Sequence, residues 1–231
     1  MPEANNAYGF VLVLWDYDYA GAERQYRRAI ELNPNYGLVR QNLGVMLNRI
    51  GRHEEGMTEI RRALELEPLS MVINRLYGDA LVCAKSYDEG LAQLKRTYEL
   101  DPTFPTTQLS LSAVYQLTGR FAESVESFAR YQDLSGRPQI AKLARDSFAS
   151  GGWHEFLANM TRIPAPEGVS SFMSAVFLLQ LGEKDRVFAE LEKAVYNREY
   201  QLLYIKIDPR VESLRSDSRL QDLIRRMHFP E

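Results

Sequence analysis

The stretch Ala29-Ile30-Glu31-Leu32-Asn33-Pro34 recurs in altered form as Ala63-Leu64-Glu65-Leu66-Glu67-Pro68 and as Tyr98-Glu99-Leu100-Asp101-Pro102. The closing prolines stand at positions 34, 68 and 102 and are therefore equally spaced. A repeat of about 34 residues is typical of helical hairpins that stack into a solenoid, because one hairpin alone cannot bury its apolar face. Proline suits the end of each second helix, since it lacks the amide proton that would continue the helix.

Small residues occur in phase with the prolines. Gly44 and Gly78 stand at one constant distance before the closing prolines of their repeats, and Ala22, Gly56 and Gly90 stand at a second, shorter one. Small residues on both helices of a hairpin let the two backbones approach closely. An ordinary helical bundle would also place apolar residues three and four positions apart, but it has no reason to space prolines and small residues equally.

The repeat divides the chain into hairpins and an end piece. Four regular repeats are predicted at about 3–35, 37–70, 71–104 and 105–136, followed by degenerate hairpins at 138–160 and 168–198. The first degenerate hairpin turns at Gly151-Gly152. Residues 201–231 leave the pattern and are predicted to cap the last apolar face. The predicted fold is all-α, a right-handed solenoid of helix-turn-helix hairpins with a C-terminal helical cap.

These motif residues resemble the tetratricopeptide repeat (TPR) family, closely over about residues 17–132 and loosely beyond. Two stretches, residues 16–23 and 208–223, resemble the TPR regions of bacterial multidomain regulators. In those proteins the repeats follow a CadC-like winged-helix domain, a TolB-like segment, a nucleotide cyclase or a Ser/Thr kinase. The resemblance implies a non-enzymatic scaffold for protein interaction within a larger regulator. The opening Met-Pro-Glu-Ala-Asn-Asn is as compatible with an excised fragment as with a native start.

Composition argues against several other classes of protein. The 28 basic and 31 acidic residues are interleaved, so no phosphate-binding stripe and no nucleic-acid partner are predicted. The apolar run at residues 10–15 is far shorter than a bilayer requires, and no membrane segment is predicted. Cys83 is the single cysteine and reads as an ordinary buried thiol. We expect a soluble body, with a cytoplasmic location favoured over a periplasmic one.

The sequence carries no recognisable catalytic or metal-binding motif. His53, His154 and His228 fall in different units, without the spacing that zinc ligands show. Gly151-Gly152 lacks a phosphate-loop lysine, and Glu54-Glu55 begins a helix, where acids favour the positive end of the dipole. We therefore predict no enzyme activity, no cofactor and no metal, and a buried charged cluster would be the observation that reopens the question.

The first helices of stacked hairpins line a concave face, which is the predicted binding site for a peptide or protein segment. The candidate groove residues are Leu38, Gln41, Asn42, Val45, Asn48, Arg49, Val72, Arg75, Leu76, Asp79, Leu109 and Gln116. The same register adds Val82, Thr106, Ser110 and Ala113. A clamp for acidic peptide tails would need lysine and asparagine at set groove positions, of which only Asn42 matches, so that mode is not predicted.

Two alternatives stay open for the apolar surfaces. The groove could instead be covered by the chain's own C-terminal segment or by a second copy, because exposed apolar patches usually have an occupant. The N-terminal edge carries Tyr8, Phe10 and Trp15 with nothing in the sequence to cap it, which favours a homodimer through that edge.

Overall fold

The structure of the protein is a computed structural model that describes residues 1–230. The α-helices in that range are α1 (Pro2–Val11), α2 (Tyr19–Leu32), α3 (Gly37–Arg49), α4 (His53–Leu66), α5 (Met71–Cys83), α6 (Tyr87–Leu100), α7 (Pro105–Leu117), α8 (Phe121–Leu134), α9 (Pro138–Met160), α10 (Ser171–Gln180), α11 (Lys184–Tyr196) and α12 (Ser218–Arg226). A π-helical turn, Leu12–Asp16, follows α1, and 3-10 turns lie at Ala165–Glu167, Tyr200–Tyr204 and Pro209–Leu214. Within residues 1–230 there is no β-strand, so the all-α prediction is confirmed.

Consecutive helices pair as hairpins, with α1 on α2, α3 on α4, α5 on α6, α7 on α8 and α10 on α11. The turn inside the early hairpins recurs with the same period as the closing prolines. Tyr17, Gly51, Lys85 and Gly119 each have a positive φ, of 53°, 95°, 64° and 72°. Glycine adopts this left-handed conformation most readily, yet a tyrosine and a lysine adopt it at the equivalent positions of the first and third hairpins.

The small residues meet where the two helices of a hairpin cross. A Cβ atom built on Gly44 would lie 2.7 Å from the carbonyl oxygen of Gly56, so no larger residue fits without moving the helices. The fourth hairpin has serines at these positions, and Ser124 Oγ donates to the carbonyl of Ser112 at 2.9 Å. A hydrogen bond there replaces direct backbone contact.

Helix α9 contains the predicted turn at its glycine pair. Gly152 has φ 66° and ψ −153°, which only glycine adopts readily, so the helical stretches on either side point in different directions. Phe156, beyond the turn, packs edge-on against Phe128 of α8 and Phe177 of α10, with ring centroids 5.5 Å apart in both pairs. The less regular units thus join the same core as the regular ones.

Residues 200–214 cross the concave face and are called the crossing segment below. Leu203, Ile205, Val211 and Leu214 are at most 2% exposed and belong to the same core cluster as Tyr26 of the first hairpin. The segment therefore does more than cap the last hairpin. Its burial against the first helices makes it part of the main core.

The two ends of the chain also meet. The rings of Tyr19 and Phe229 stack with centroids 5.1 Å apart. The guanidinium of Arg198 donates to the carbonyl of Trp15 and lies over the Trp15 ring, 5.2 Å from its centroid. Residues near the C-terminus therefore pack against the turn after α1 and the start of α2. No helix of residues 1–230 is both long and apolar enough to cross a membrane.

Candidate functional site

The predicted groove residues fall into three classes of accessibility along the first helices α3, α5 and α7. Five are buried: Gln41, Val45, Asn48, Arg49 and Leu76. Five are half-buried: Asn42, Arg75, Asp79, Leu109 and Gln116. The remaining two, Leu38 and Val72, are exposed at the N-terminal rim of their helices.

The α3 part of the concave face lies under the crossing segment and is called the covered half. Arg49 is 3% exposed, and its guanidinium lies between the rings of Tyr200 and Tyr204, 4.3 Å and 4.2 Å from their centroids. Within residues 1–230, no group accepts a hydrogen bond from its Nε or Nη2. The two aromatic faces therefore supply its electrostatic partner, as in a desolvated cation–π contact.

Two of the three amide side chains of the covered half are hydrogen-bonded through their nitrogen atoms, whereas Asn48 Nδ2 has no acceptor within residues 1–230. Asn42 Nδ2 donates to Asn6 Oδ1 of α1 at 2.9 Å, and Gln41 Nε2 donates to Asn42 Oδ1 at 3.3 Å. Leu203 reaches the same small space between α1 and α3. The chain's own C-terminal segment thus covers this part of the groove, which was one of the alternatives open from the sequence.

The α5 and α7 part of the concave face borders a cavity of about 220 Å³ and is called the open half. Its apolar lining comes from α5, α7 and α10: Val82, Leu109, Ala113, Leu117, Phe172 and Met173. The crossing segment forms the opposite wall through Tyr200, Tyr204 and residues 208–210. Lys85 Nζ and Glu212 Oε1, 2.7 Å apart, link the turn after α5 to the crossing segment.

Two arginine–aspartate pairs stand in the wall of the cavity. Arg75 is paired with Asp79 one turn along α5, and Arg210 is paired with Asp208 at 2.6 Å. All four side chains are less than a fifth exposed. This is the buried charged cluster that an enzyme would need, but each carboxylate is held by an arginine, and paired groups of this kind serve structure and binding as readily as catalysis.

Two donors in the cavity wall lack an acceptor within residues 1–230. They are the Nε of Arg75 and the hydroxyl of Thr106. A buried donor without a partner is costly, and both atoms are shielded from solvent, so they add to the structural cost of this wall.

The thiol of Cys83 lines the cavity close to Asp79 and Asp208. Burial, reinforced by the two carboxylates, raises the pKa of this thiol well above its usual range. A nucleophilic cysteine needs the opposite shift, since the thiolate is the reactive form. Within residues 1–230 no group of three or more His, Cys, Asp or Glu side chains is placed to hold a metal ion.

The repeat register named seven residues of α5 and α7 that line this cavity, but it did not name Cys83 or Leu117 or any residue of the other wall; the seven are Arg75, Asp79, Val82, Thr106, Leu109, Ser110 and Ala113. Phe172, Met173, Tyr200, Tyr204 and Arg210 come from regions outside the regular repeats. The repeat period carries no information about them, because their position depends on how the chain returns after α11.

No protein-family profile matches the sequence, and no curated protein is significantly similar to it. Solved structures share the fold. The pilF protein of Pseudomonas aeruginosa is 17% identical with a TM-score of 0.61, over 89% of this chain and 95% of its own. PilW, described as a widely conserved type IV pilus biogenesis factor, is 17% identical with a TM-score of 0.58, over 89% and 97%.

A third structure, Naa15/Naa10 bound to HypK-THB, is 16% identical with a TM-score of 0.53. The alignment covers 97% of this chain but only 36% of the matched chain in that structure. PilF and PilW are TPR-containing proteins, so the helical-repeat fold predicted from the spacing of the prolines is confirmed. At these identities the likeness establishes the fold alone.

Proposed function

We propose that this chain is a non-enzymatic scaffold that binds a segment of a partner protein at the open half of its concave face. The observation that carries the proposal is the cavity bordered by α5 and α7, which combines apolar walls with two arginine–aspartate pairs. Binding surfaces of this kind use an apolar centre for affinity and a few polar groups for orientation. One of the similar solved structures is Naa15/Naa10 bound to HypK-THB, which supports the suitability of this fold for holding partner proteins.

The proposed site is shorter than the groove inferred from the repeats. Partner contacts are assigned to Arg75, Asp79 and Leu109, together with Thr106 and Ser110 of α7. The groove residues of α3 become supports for the crossing segment. A short segment of the partner fits this arrangement better than an extended peptide running along four repeats.

The surrounding protein is proposed to be a bacterial regulator, with the cytoplasm as its favoured compartment. The resemblance of residues 16–23 and 208–223 to the TPR regions of such regulators supports this context. Sequencing the genomic neighbourhood and the full reading frame tests it directly. A reading frame without any signalling or DNA-binding module would reject the context but leave the binding site in place.

Selection of peptides from a display library on the full chain tests the binding proposal. The affinity of selected peptides is expected to fall at least about tenfold in Arg75→Ala, which removes an anchor in the open half. Asn42→Ala is the matched comparison, because Asn42 belongs to the covered half and its amide is bonded to Asn6.

Helicity by circular dichroism establishes that both variants fold. Ser110→Glu, a change at a half-buried position of α7 that places a charge in the cavity wall, gives a second readout if Arg75→Ala is poorly folded. Failure to select any peptide, or selected peptides that bind all three variants as tightly as the wild type, rejects the proposal.

Self-association is a second candidate function, favoured by one observation. Tyr8, Phe10, Val11 and Trp15 are between 41% and 55% exposed at the N-terminal edge. Apolar aromatic clusters on an end surface of a solenoid are suited to pairing with a second copy. Light scattering across concentration, with Phe10→Glu as the interface variant, decides it, and a wild type that stays monomeric throughout rejects it.

A further inference from the structure

The cavity of the open half has the size of one large side chain. Its volume of about 220 Å³ exceeds the roughly 150 Å³ of an engineered apolar cavity that admits benzene. It is smaller than the roughly 300–1,000 Å³ of sites that enclose whole small-molecule ligands. An aromatic ring with its linking atoms fills such a space, whereas a drug-sized molecule does not.

The chemistry of the walls narrows the occupant further. The apolar side chains of Leu109, Leu117, Phe172 and Met173 come from two different helices and surround the space from several sides. Phe172 and Met173 are themselves at most 8% exposed, so this part of the wall is fixed by the core. Fixed apolar walls favour an apolar body over a flexible polar chain.

The charges of the wall cancel. Arg75 and Asp79 form one pair and Arg210 and Asp208 the other, so the cavity has no net charge to offset an added ion. A buried charge without a counter-charge is strongly unfavourable. The occupant is therefore neutral at the buried end, which disfavours a free carboxylate or ammonium group.

The polar groups of the wall are already paired or shielded. Arg75 is paired with Asp79, and the Nε of Arg75 and the hydroxyl of Thr106 are shielded from solvent. The accessible surface that the cavity offers to an occupant is therefore mainly apolar, and an apolar side chain matches it.

From this combination, and resting on the proposed function, we infer that the cavity is an anchor pocket. It takes one aromatic or large aliphatic side chain of the partner segment. The pocket sets specificity for a single apolar residue in an otherwise variable segment.

The test uses five pentapeptides, acetyl-Ala-Ala-X-Ala-Ala-amide, in which X is Trp, Phe, Leu, Ala or Glu. Binding to the full chain is followed by the methyl resonance of Met173, one of seven methionines, which is assigned with Met173→Leu. The peptides with Trp or Phe are expected to bind at least about tenfold more tightly than the peptide with Ala, because they bury an aromatic side chain. The peptide with Glu is expected to leave the resonance unmoved.

Two variants separate the pocket from the surface around it. Ala113→Leu adds a side chain to the cavity wall and is expected to abolish the difference between Trp and Ala. Ala92→Leu makes the same change at an exposed position of α6 and serves as its matched control.

The outcomes separate this inference from the proposed function. Selected library peptides that depend on Arg75 but neither shift Met173 nor respond to Ala113→Leu would overturn the anchor pocket and leave the scaffold proposal standing. N-acetyl-tryptophan amide is the probe for a free small molecule. A shift of Met173 with that probe, combined with no binding of any pentapeptide, would also overturn the inference. Equal affinity for all five residues X would do the same.

Discussion

The covered half and the open half of the concave face come from equivalent positions of successive repeats, yet they end in different environments. Arg49 of α3, Cys83 of α5 and Leu117 of α7 are separated by exactly one repeat each along the chain. Arg49 lies between two tyrosine rings of the crossing segment, whereas Cys83 and Leu117 border the cavity. Repeat register decides which side chains face inward. It does not decide what they meet there.

The difference has a physical cause in the crossing segment. Its first turn presents the rings of Tyr200 and Tyr204 to α3, so aromatic faces meet a guanidinium at close range. Its second turn presents the Asp208–Arg210 pair toward α5, which is polar and bonded to itself. Tyr200 and Tyr204 therefore contact Arg49 in the covered half and also border the cavity, whose wall the Asp208–Arg210 pair completes.

The largest effect is expected from Leu203→Ala, a substitution in the crossing segment. Leu203 is 2% exposed and joins the core shared with the first hairpin, so its truncation is expected to reduce the free energy of unfolding by about 2–5 kcal/mol. Urea unfolding measures the loss. Leu69→Ala, at a leucine that is 73% exposed, is the control and should change stability by less than about 0.5 kcal/mol. Equal effects from the two substitutions would mean that the crossing segment is not part of the core.

A smaller effect is expected at the aromatic contact of the covered half. Tyr204→Leu removes the ring over which the Arg49 guanidinium lies, 4.2 Å from the centroid, and is expected to cost about 1–2 kcal/mol. Tyr204→Phe keeps the ring and should retain most of the stability. Thermal and urea unfolding measure the stability of both variants. If Tyr204→Phe is as unstable as Tyr204→Leu, the stabilisation comes from the hydroxyl group and not from the ring.

The open half is tested by the reactivity of Cys83. Because burial raises the pKa of this thiol, the thiolate is scarce at pH 8, and alkylation by iodoacetamide is expected to be at least about tenfold slower than in the urea-unfolded chain. Mass spectrometry reads the rate directly, since Cys83 is the sole cysteine. Equal rates in the folded and unfolded chains would contradict the raised pKa of this thiol.

The smallest effect is expected away from both halves, at the link between α8 and α9. Arg145 Nε donates to Glu126 Oε2 at 2.8 Å, and hydrogen bonds from Arg145 hold the pKa of the Glu126 carboxyl below its ordinary value. Both side chains are about two-fifths exposed, so solvent screening limits the loss in Glu126→Gln to about 0.2–1 kcal/mol at pH 7.

The pH dependence of that loss has a definite sign. A lowered pKa in the folded state stabilises the protein above the pKa of the unfolded chain, and the stabilisation disappears as pH falls through the lowered value. The difference between wild type and Glu126→Gln should therefore shrink in acid. A difference that grew toward low pH, measured by urea unfolding across the acidic range, would contradict the assignment.

Much of the fold could be predicted from the sequence because its determinants are local and repeated. Closing prolines, the paired small residues and Gly151-Gly152 act within one hairpin, where the physical requirement is visible in the residue itself. The candidate site was only partly predictable. The register identified Arg75 and Leu109 as inward-facing, but nothing local indicated that Tyr200 would lie against Arg49.

The sequence by itself determined the helical hairpins, their period and the set of side chains that face the concave side. The tertiary structure alone decided that Arg49 is buried beneath the crossing segment while Arg75 borders a cavity. The reason is the distance along the chain over which each feature acts. Hairpin packing is set by residues within one repeat, whereas the crossing segment meets α3 from the far end of the chain and is positioned by the sum of the intervening hairpin angles.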